Sequence, residues 1–284
     1  MTIQQIISRM RTELQGTDDP AEVEAVVRLV VGHVLHYTPV DMVLRGDFEQ
    51  PQVLADRIEA ITSRLKAHEP VQYVLGTARF HGLDFQVTPA TLIPRPETDR
   101  LVDIIVDAHR DQPDLCVLDV GTGSGCIAIS LARALPWSQV TATDVSADAL
   151  AVAQANAQRL KARVNWRRED MTRAIAPVET FDIVVSNPPY VCQSERVEME
   201  QKVLNYEPAT ALFVPDDDPL LFYRPLAAYA AKALKPGGSL YLEINRRFGA
   251  QVAQLLTSHG LADAQVHKDQ FGADRFVTAT KPKD

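Results

Sequence analysis

From Thr2 to about Lys66, apolar side chains recur at spacings of three and four: Ile3, Ile6, Ile7 and Met10, then Val23, Val26, Val27, Val30, Val31 and Val34, then Val53, Ile58, Ile61 and Leu65. That period gathers them on one stripe of a helix, so the segment predicts a small helical bundle. Asp19-Pro20 and Gln50-Pro51 stand where helices should start, because proline lacks the amide hydrogen that a first turn leaves unpaired. Between Pro70 and Val87 the period changes. The stretch QYVLGTARFHGLDFQV is rich in β-branched and aromatic residues and carries the turn signal His81-Gly82, which predicts a hairpin. Pro89 to Glu97 holds three prolines and should be a stiff, extended loop.

From Thr98 onward helical and strand periods alternate, as in a parallel sheet with helices on both faces. Strands are expected at Leu115–Val120, Val140–Asp144, Val164–Glu169, Phe181–Ser186, Ser239–Ile244, Ala264–His267 and Phe276–Thr280. Helices are expected near Thr98–His109, Cys126–Ala134, Ala147–Leu160, Pro219–Leu234 and Ala250–Ser258, with Lys235-Pro236-Gly237-Gly238 ending a helix and starting a strand. The domain expectation is therefore a helical module over 1–69, a hairpin and Pro-rich linker over 70–97, and an α/β domain over 98–284, with a seven-stranded, mostly parallel sheet.

Composition narrows the classes. With 284 residues and 46% apolar content the chain can bury a large core and a smaller one. Its 37 acidic and 29 basic residues give a net charge of −8, which disfavours a polyphosphate as the direct substrate. Cys116, Cys126 and Cys192 lack the spacing of a disulfide framework or a zinc site, so no metal is expected and a cytoplasmic setting fits. No segment approaches the ~20 apolar residues of a membrane span, so no membrane association is expected.

Candidate chemistry begins at Leu115–Gly125, an apolar strand that runs into Gly121, Thr122, Gly123, Ser124 and Gly125 and then a helix. Glycines there allow a tight turn and let a ligand approach the backbone. Asp144, at the end of the next strand, can accept both hydroxyls of a ribose, which points to an adenosine-containing cofactor. A dinucleotide fingerprint would read G-x-G-x-x-G, whereas here Gly125 follows Gly123 by two. Asp170 and Met171, after the third strand, are expected to border the adenine ring; a helix cap is the plainer role for Asp170.

The strand Phe181–Ser186 runs directly into Asn187, Pro188, Pro189 and Tyr190. An amide or aromatic NH2 nitrogen is a poor nucleophile because its lone pair is delocalised. A site for it needs acceptors for both hydrogens, and the Asn187 side-chain oxygen and the Pro188 carbonyl supply two. The prolines stiffen the backbone and Tyr190 offers a flat face, so alignment beside a methyl sulfonium can carry the rate. Asn187, Pro188 and Tyr190 are the expected catalytic residues, and Asn187 to Tyr190 the acceptor site. On these residues alone, nucleic-acid bases and amides remain equally open.

Asp119-x-Gly-x-Gly-x-Gly125 resembles the cofactor motif of Rossmann-like class I methyltransferases. The N-terminal helical module, Tyr73-Val-Leu-Gly76, Ile93-Pro-Arg-Pro-Glu-Thr98, Asn187–Tyr190, Glu207-Pro208-x-x-Ala211-Leu212, and Lys268-Asp269 with Arg275 together resemble the HemK/PrmC family, the release-factor glutamine methyltransferases. The resemblance implies S-adenosyl-L-methionine as cofactor, held by Gly121–Gly125, Asp144, Asp170, Met171 and Asn187. It implies methyl transfer to the glutamine amide nitrogen of the Gly-Gly-Gln motif in class I peptide-chain release factors, with the helical module docking the substrate. It also places Arg95, Pro96, Glu97 and Thr98 on the cofactor side of the pocket, in the release-factor branch rather than the ribosomal-protein branch. One departure is Asn245, where the family pattern has glycine.

A monomer is expected. His33 and His36 are expected as structural histidines, Arg163, Arg167 and Arg168 as a solvated strand edge, and Asp216-Asp217-Asp218 as a cap for the helix after Pro219.

Overall fold

The computed structural model describes residues 1–283, which divide into two compact units, 1–77 with 200–206, and 78–199 with 207–283. In the first unit, α1 (Ile3–Glu13), α2 (Pro20–Leu35), α3 (Pro39–Leu44), α4 (Gln52–Lys66) and α5 (Val71–Leu75) form the bundle that the three-and-four spacing predicts. Its core is most of the predicted stripe, with Ile3, Ile6 and Met10 packed on Val27, Val30, Val31 and Ile58, whereas Val53 is exposed and lies outside it. Thr2 caps α1 reciprocally with Gln5, and Asp19 caps α2 ahead of Pro20. Val71–Leu75, expected in the hairpin, is a helix ended by Gly76 at φ +73°, so the hairpin is confined to β1 (Thr77–Phe80) and β2 (Leu83–Gln86).

The second unit continues with α6 (Pro96–His109), β3 (Cys116–Val120), α7 (Cys126–Ala134), β4 (Gln139–Asp144), α8 (Ala147–Leu160), β5 (Val164–Arg168), β6 (Phe181–Ser186) and β7 (Val191–Cys192). A short helix, α9 (Gln201–Tyr206), belongs to the first unit, where Lys202 meets Asp18 and Glu22 and Tyr206 donates to the Ala67 carbonyl. The chain then returns through β8 (Phe213–Val214), α10 (Tyr223–Ala233), β9 (Leu234–Glu243), α11 (Gly249–Ser258), β10 (Ala262–Lys268) and β11 (Asp274–Thr280).

The sheet has seven strands in the order β10-β11-β9-β6-β3-β4-β5, and β11 runs antiparallel to both neighbours. Successive residues of the central strands are buried on opposite faces. Val117, Ile183 and Val185 pack with α6, α7 and the hairpin, while Leu118, Val184 and Leu240 pack with α10 and α11. That double burial explains why β6 reads as a nearly unbroken apolar run.

Two expectations change in β9 and α10. Lys235–Gly238 does not precede the strand but lies inside β9 as an irregularity, since Phe181 pairs with Leu234 and Ile183 already pairs with Ser239. Gly237 donates to the Lys281 carbonyl and Lys281 to the Gly238 carbonyl, so the excursion is held on its far side. The helix after Pro219 begins only at Tyr223 and has no side-chain cap: Asp216 accepts from Ser194, and Asp218 pairs with the Arg224 side chain in the first turn of that helix. Arg163, Arg167 and Arg168 are exposed on and beside β5, the last strand of the sheet. Among residues 1–283 no helix is long and apolar enough to cross a membrane.

Candidate active site

From β3 the chain steps outward to β4 and β5, then returns to the other side of β3 to lay down β6. The carboxyl ends of β3 and β6 therefore flank the point where strand order reverses, the usual ligand crevice of such sheets. Val120 and Ser186 are paired across these strands, and the Ser186 hydroxyl donates to the Val120 carbonyl at 2.7 Å. The glycine loop and Asn187 begin one residue later on adjacent strands.

In the glycine loop, Gly121, Gly123 and Gly125 have φ of +72°, +55° and +81°, a region that side chains with a Cβ enter at a cost. The amides of Gly121 and Thr122 both donate to the Thr143 carbonyl, and Gly123 donates to Asp144 Oδ2 at 2.9 Å. Asp144 Oδ1 accepts from the Ser146 amide at 2.9 Å. Beneath the loop, buried Asp119 accepts from the Thr122 hydroxyl at 2.6 Å and the Ala128 amide at 3.2 Å. Burial pushes the Asp119 carboxyl up to about 7, against these two bonds. Asn156, fully buried on α8, donates to the carbonyls of Gln86 and Ser124 and accepts from the Gln86 amide, which ties β2 to the loop.

The loop fits a nucleoside cofactor. A Cβ added at Gly121 or Gly123 would meet no atom within 4 Å, so the backbone there faces open space. Asp119 Oδ1 and Ser124 Oγ are buried without a partner. Each Asp144 oxygen accepts one backbone amide and keeps a lone pair for a ribose hydroxyl.

The second loop is held by side chains. Asn187 Nδ2 donates to Thr98 Oγ1 at 3.1 Å, and Thr98 Oγ1 donates to Glu243 Oε2 at 2.7 Å. Tyr190 donates to Glu243 Oε1 at 2.9 Å, and Tyr223 donates to the Glu243 carbonyl at 3.1 Å. Glu243 is 1% exposed. Burial raises its pKa, opposed by the bonds from Thr98 and Tyr190 and by Arg275, which Asp269 holds at 3.2 Å. The Tyr190 phenol is pushed well up, by burial first and then by the Glu243 carboxylate.

The chain matches the model of the PrmC N-terminal domain over residues 5–76 and that of the methyltransferase small domain over residues 95–210. It is 44% identical to the release factor glutamine methyltransferase of Bacteroides thetaiotaomicron, over 97% of this chain and 99% of that one. The corresponding protein of Flavobacterium psychrophilum is 39% identical over 96% of this chain and 98% of its own. The chain belongs to the release factor glutamine methyltransferase family. Among solved structures, a methyltransferase from Pyrococcus furiosus superposes with a TM-score of 0.52 at 20% identity, covering 80% of this chain and 97% of that one. That likeness concerns the fold alone.

The turn after β9, where the sequence resemblance predicts glycine instead of Asn245, is well held. Asn245 Nδ2 donates to the Tyr190 carbonyl at 3.2 Å and to Glu195 Oε2 at 2.8 Å, while its Oδ1 accepts from the Arg247 amide. Asn245 thus braces the Asn187–Tyr190 loop. The Ile93-Pro-Arg-Pro-Glu-Thr98 run is divided in role. Buried Glu207 accepts from the Ile93 amide at 3.0 Å and from Arg95 at 2.5 Å, which explains why the Glu207-Pro208 motif accompanies it. Thr98 reaches Asn187. Asp170 heads a turn by accepting from the Thr172 amide and hydroxyl, bonds that lower its pKa, and Met171 is half-buried against the α10–α11 side of the core. Among the described residues no group of three or more His, Cys, Asp or Glu could hold a metal.

Sequence reasoning did not assign roles to Glu243 and Asn156. Both left a signal. Glu243 is a lone carboxylate in the apolar run Leu240–Ile244, and Asn156 falls on the face of α8 that Ala149 and Ala153 bury.

Proposed function

We propose that this chain transfers a methyl group from S-adenosyl-L-methionine to the side-chain amide nitrogen of the glutamine in the Gly-Gly-Gln motif of class I peptide-chain release factors. The observation that carries this reading is the Asn187 carboxamide, which stands one strand from the glycine loop with its nitrogen already engaged by Thr98. Its oxygen is left to accept a substrate N–H, and the Pro188 carbonyl takes the other hydrogen. Tyr190, anchored through its hydroxyl, lies against the planar amide.

Gly121 to Gly125 and Asp144 hold the cofactor, with Asp170 and Met171 bordering its adenine. When bound, S-adenosyl-L-methionine supplies an electrophilic methyl carbon whose bonding electron pair remains on sulfur. The residues of this chain contribute alignment and require no base before attack, because the amide nitrogen loses its proton to water once the new N–C bond exists. Two fixed acceptors and no fixed donor select an NH2 group, and the likeness to release factor glutamine methyltransferases supports glutamine over a base amino group.

The experiment is transfer from labelled S-adenosyl-L-methionine. A class I release factor should be labelled, and the same factor with its Gly-Gly-Gln glutamine replaced should not. Labelling of an RNA or DNA oligonucleotide with none in the release factor would overturn the reading in favour of a base-amino methyltransferase.

A further inference from the structure

The two ends of a carboxamide are nearly equal in size, so only its partners decide which end faces a substrate. For an NH2 acceptor that choice is decisive: an asparagine presenting Nδ2 would oppose donor to donor. The Asn187 side chain has one fixed contact that can make the choice, Thr98 Oγ1 at 3.1 Å. A hydroxyl alone would be indifferent, since it can donate or accept. Here its single proton is committed to Glu243 Oε2 at 2.7 Å, within a carboxylate that is 1% exposed. With that proton spent, Thr98 has only lone pairs to offer and accepts Nδ2.

We propose that Thr98 and Glu243 are positioning residues that lock the Asn187 amide with its oxygen toward the acceptor nitrogen. The proposal rests on the methyltransferase reading above. The reversed amide needs the Thr98 proton for Asn187 Oδ1, which strips the buried Glu243 Oε2 of its donor. The groups around Glu243 hold it to the acceptor role: the hydroxyls of Thr98 and Tyr190 donate to its two oxygens, Tyr223 donates to its carbonyl, and Arg275 counters the Glu97 carboxylate. Acid should undo the lock. A protonated Glu243 can donate to Thr98, whose proton then turns to Asn187 Oδ1 and leaves Nδ2 facing the substrate. Burial places this transition above the ordinary carboxylate range.

Thr98→Val keeps the shape and removes the hydroxyl. It should lower kcat about 10- to 100-fold, the range seen when an outer partner of a metal ligand is lost. The release-factor KM and the cofactor Kd should stay within about threefold. Thr98→Ser, which retains the hydroxyl, should recover kcat to within about threefold of the parent and restore the acid limb of its pH profile. Full activity in Thr98→Val would overturn the lock, as would a Thr98→Ser variant as slow as the valine. A readout without substrate separates this idea from the methyl-transfer reading. The Asn187 side-chain NH2, identified in 15N spectra by its loss in Asn187→Ala, should be protected from hydrogen exchange in the parent and unprotected in Thr98→Val. An unprotected NH2 in the parent refutes the lock whatever the enzyme methylates; protection without release-factor labelling refutes only the substrate.

Discussion

The glycine loop and the Asn187–Tyr190 loop leave adjacent strands at the same edge of the sheet, yet they are held by different means. Gly121–Gly125 is shaped by backbone conformation and by carboxylates that are near in sequence, Asp119 and Asp144. Asn187–Tyr190 is shaped by side chains brought from far along the chain, Thr98 from the start of α6 and Glu243 and Asn245 from the end of β9. Damage to the first loop should therefore appear as lost stability and cofactor affinity, and damage to the second as lost turnover.

The largest stability effect is expected at Asn156, which ties the glycine loop to strand β2 of the hairpin. Asn156→Ala strands the amide and carbonyl of Gln86 and the carbonyl of Ser124, and should cost about 3–5 kcal/mol by denaturant unfolding. Gly125→Ala comes next, at about 2–4 kcal/mol. It combines a left-handed φ of +81° with a Cβ placed 3.0 Å from Ile129 and 3.1 Å from Ala153. Gly123→Ala has the strain without the crowding, so it should cost about 1–2 kcal/mol while weakening cofactor binding measured by calorimetry. Equal effects of the two alanines on affinity would break the distinction between loop interior and loop face.

Asp119 gives a subtler test. Burial pushes its folded-state pKa up to about 7, above the ordinary aspartate value of 3.8, so between these limits the folded protein holds a proton that the unfolded chain has released. Stability from this group is therefore present below about pH 4 and declines as pH rises toward 7. Asp119→Asn keeps an oxygen for Thr122 and Ala128 and should flatten that decline, so the cofactor-free variant should melt above the parent at pH 8. A parallel pH dependence of Tm in both proteins would remove the desolvation argument.

The same contrast explains what was legible in the sequence. Helical stripes, strand runs and the glycine spacing are local periods, and they fixed the bundle, the parallel sheet and the place of the loop to within a few residues. Asn187 and Tyr190 drew attention because the proposed NH2-acceptor chemistry calls for their types, and strand pairing sets Asn187 beside the glycine loop. Their supports were not, because a threonine 89 positions before Asn187 and a glutamate 53 positions after Tyr190 meet only through strand order. Short ambiguous runs failed for the opposite reason. Val71–Leu75 looks like a strand by composition, and only Gly76 in the left-handed region marks it as the last helical turn of the bundle. Lys235–Gly238 has the composition of a turn, but pairing with Lys281 carries it within the strand.

The central claim is that Asn187 holds the acceptor amide and little else, and the most direct measurement is the single-turnover rate of Asn187→Ala on a release factor at saturating cofactor, with cofactor affinity measured on the same preparation. The account predicts affinity within a few-fold of the parent and a rate lower by roughly 10²–10³, the cost of losing one preorganised polar contact in an active site. A rate close to that of the parent, with cofactor still bound, would contradict it.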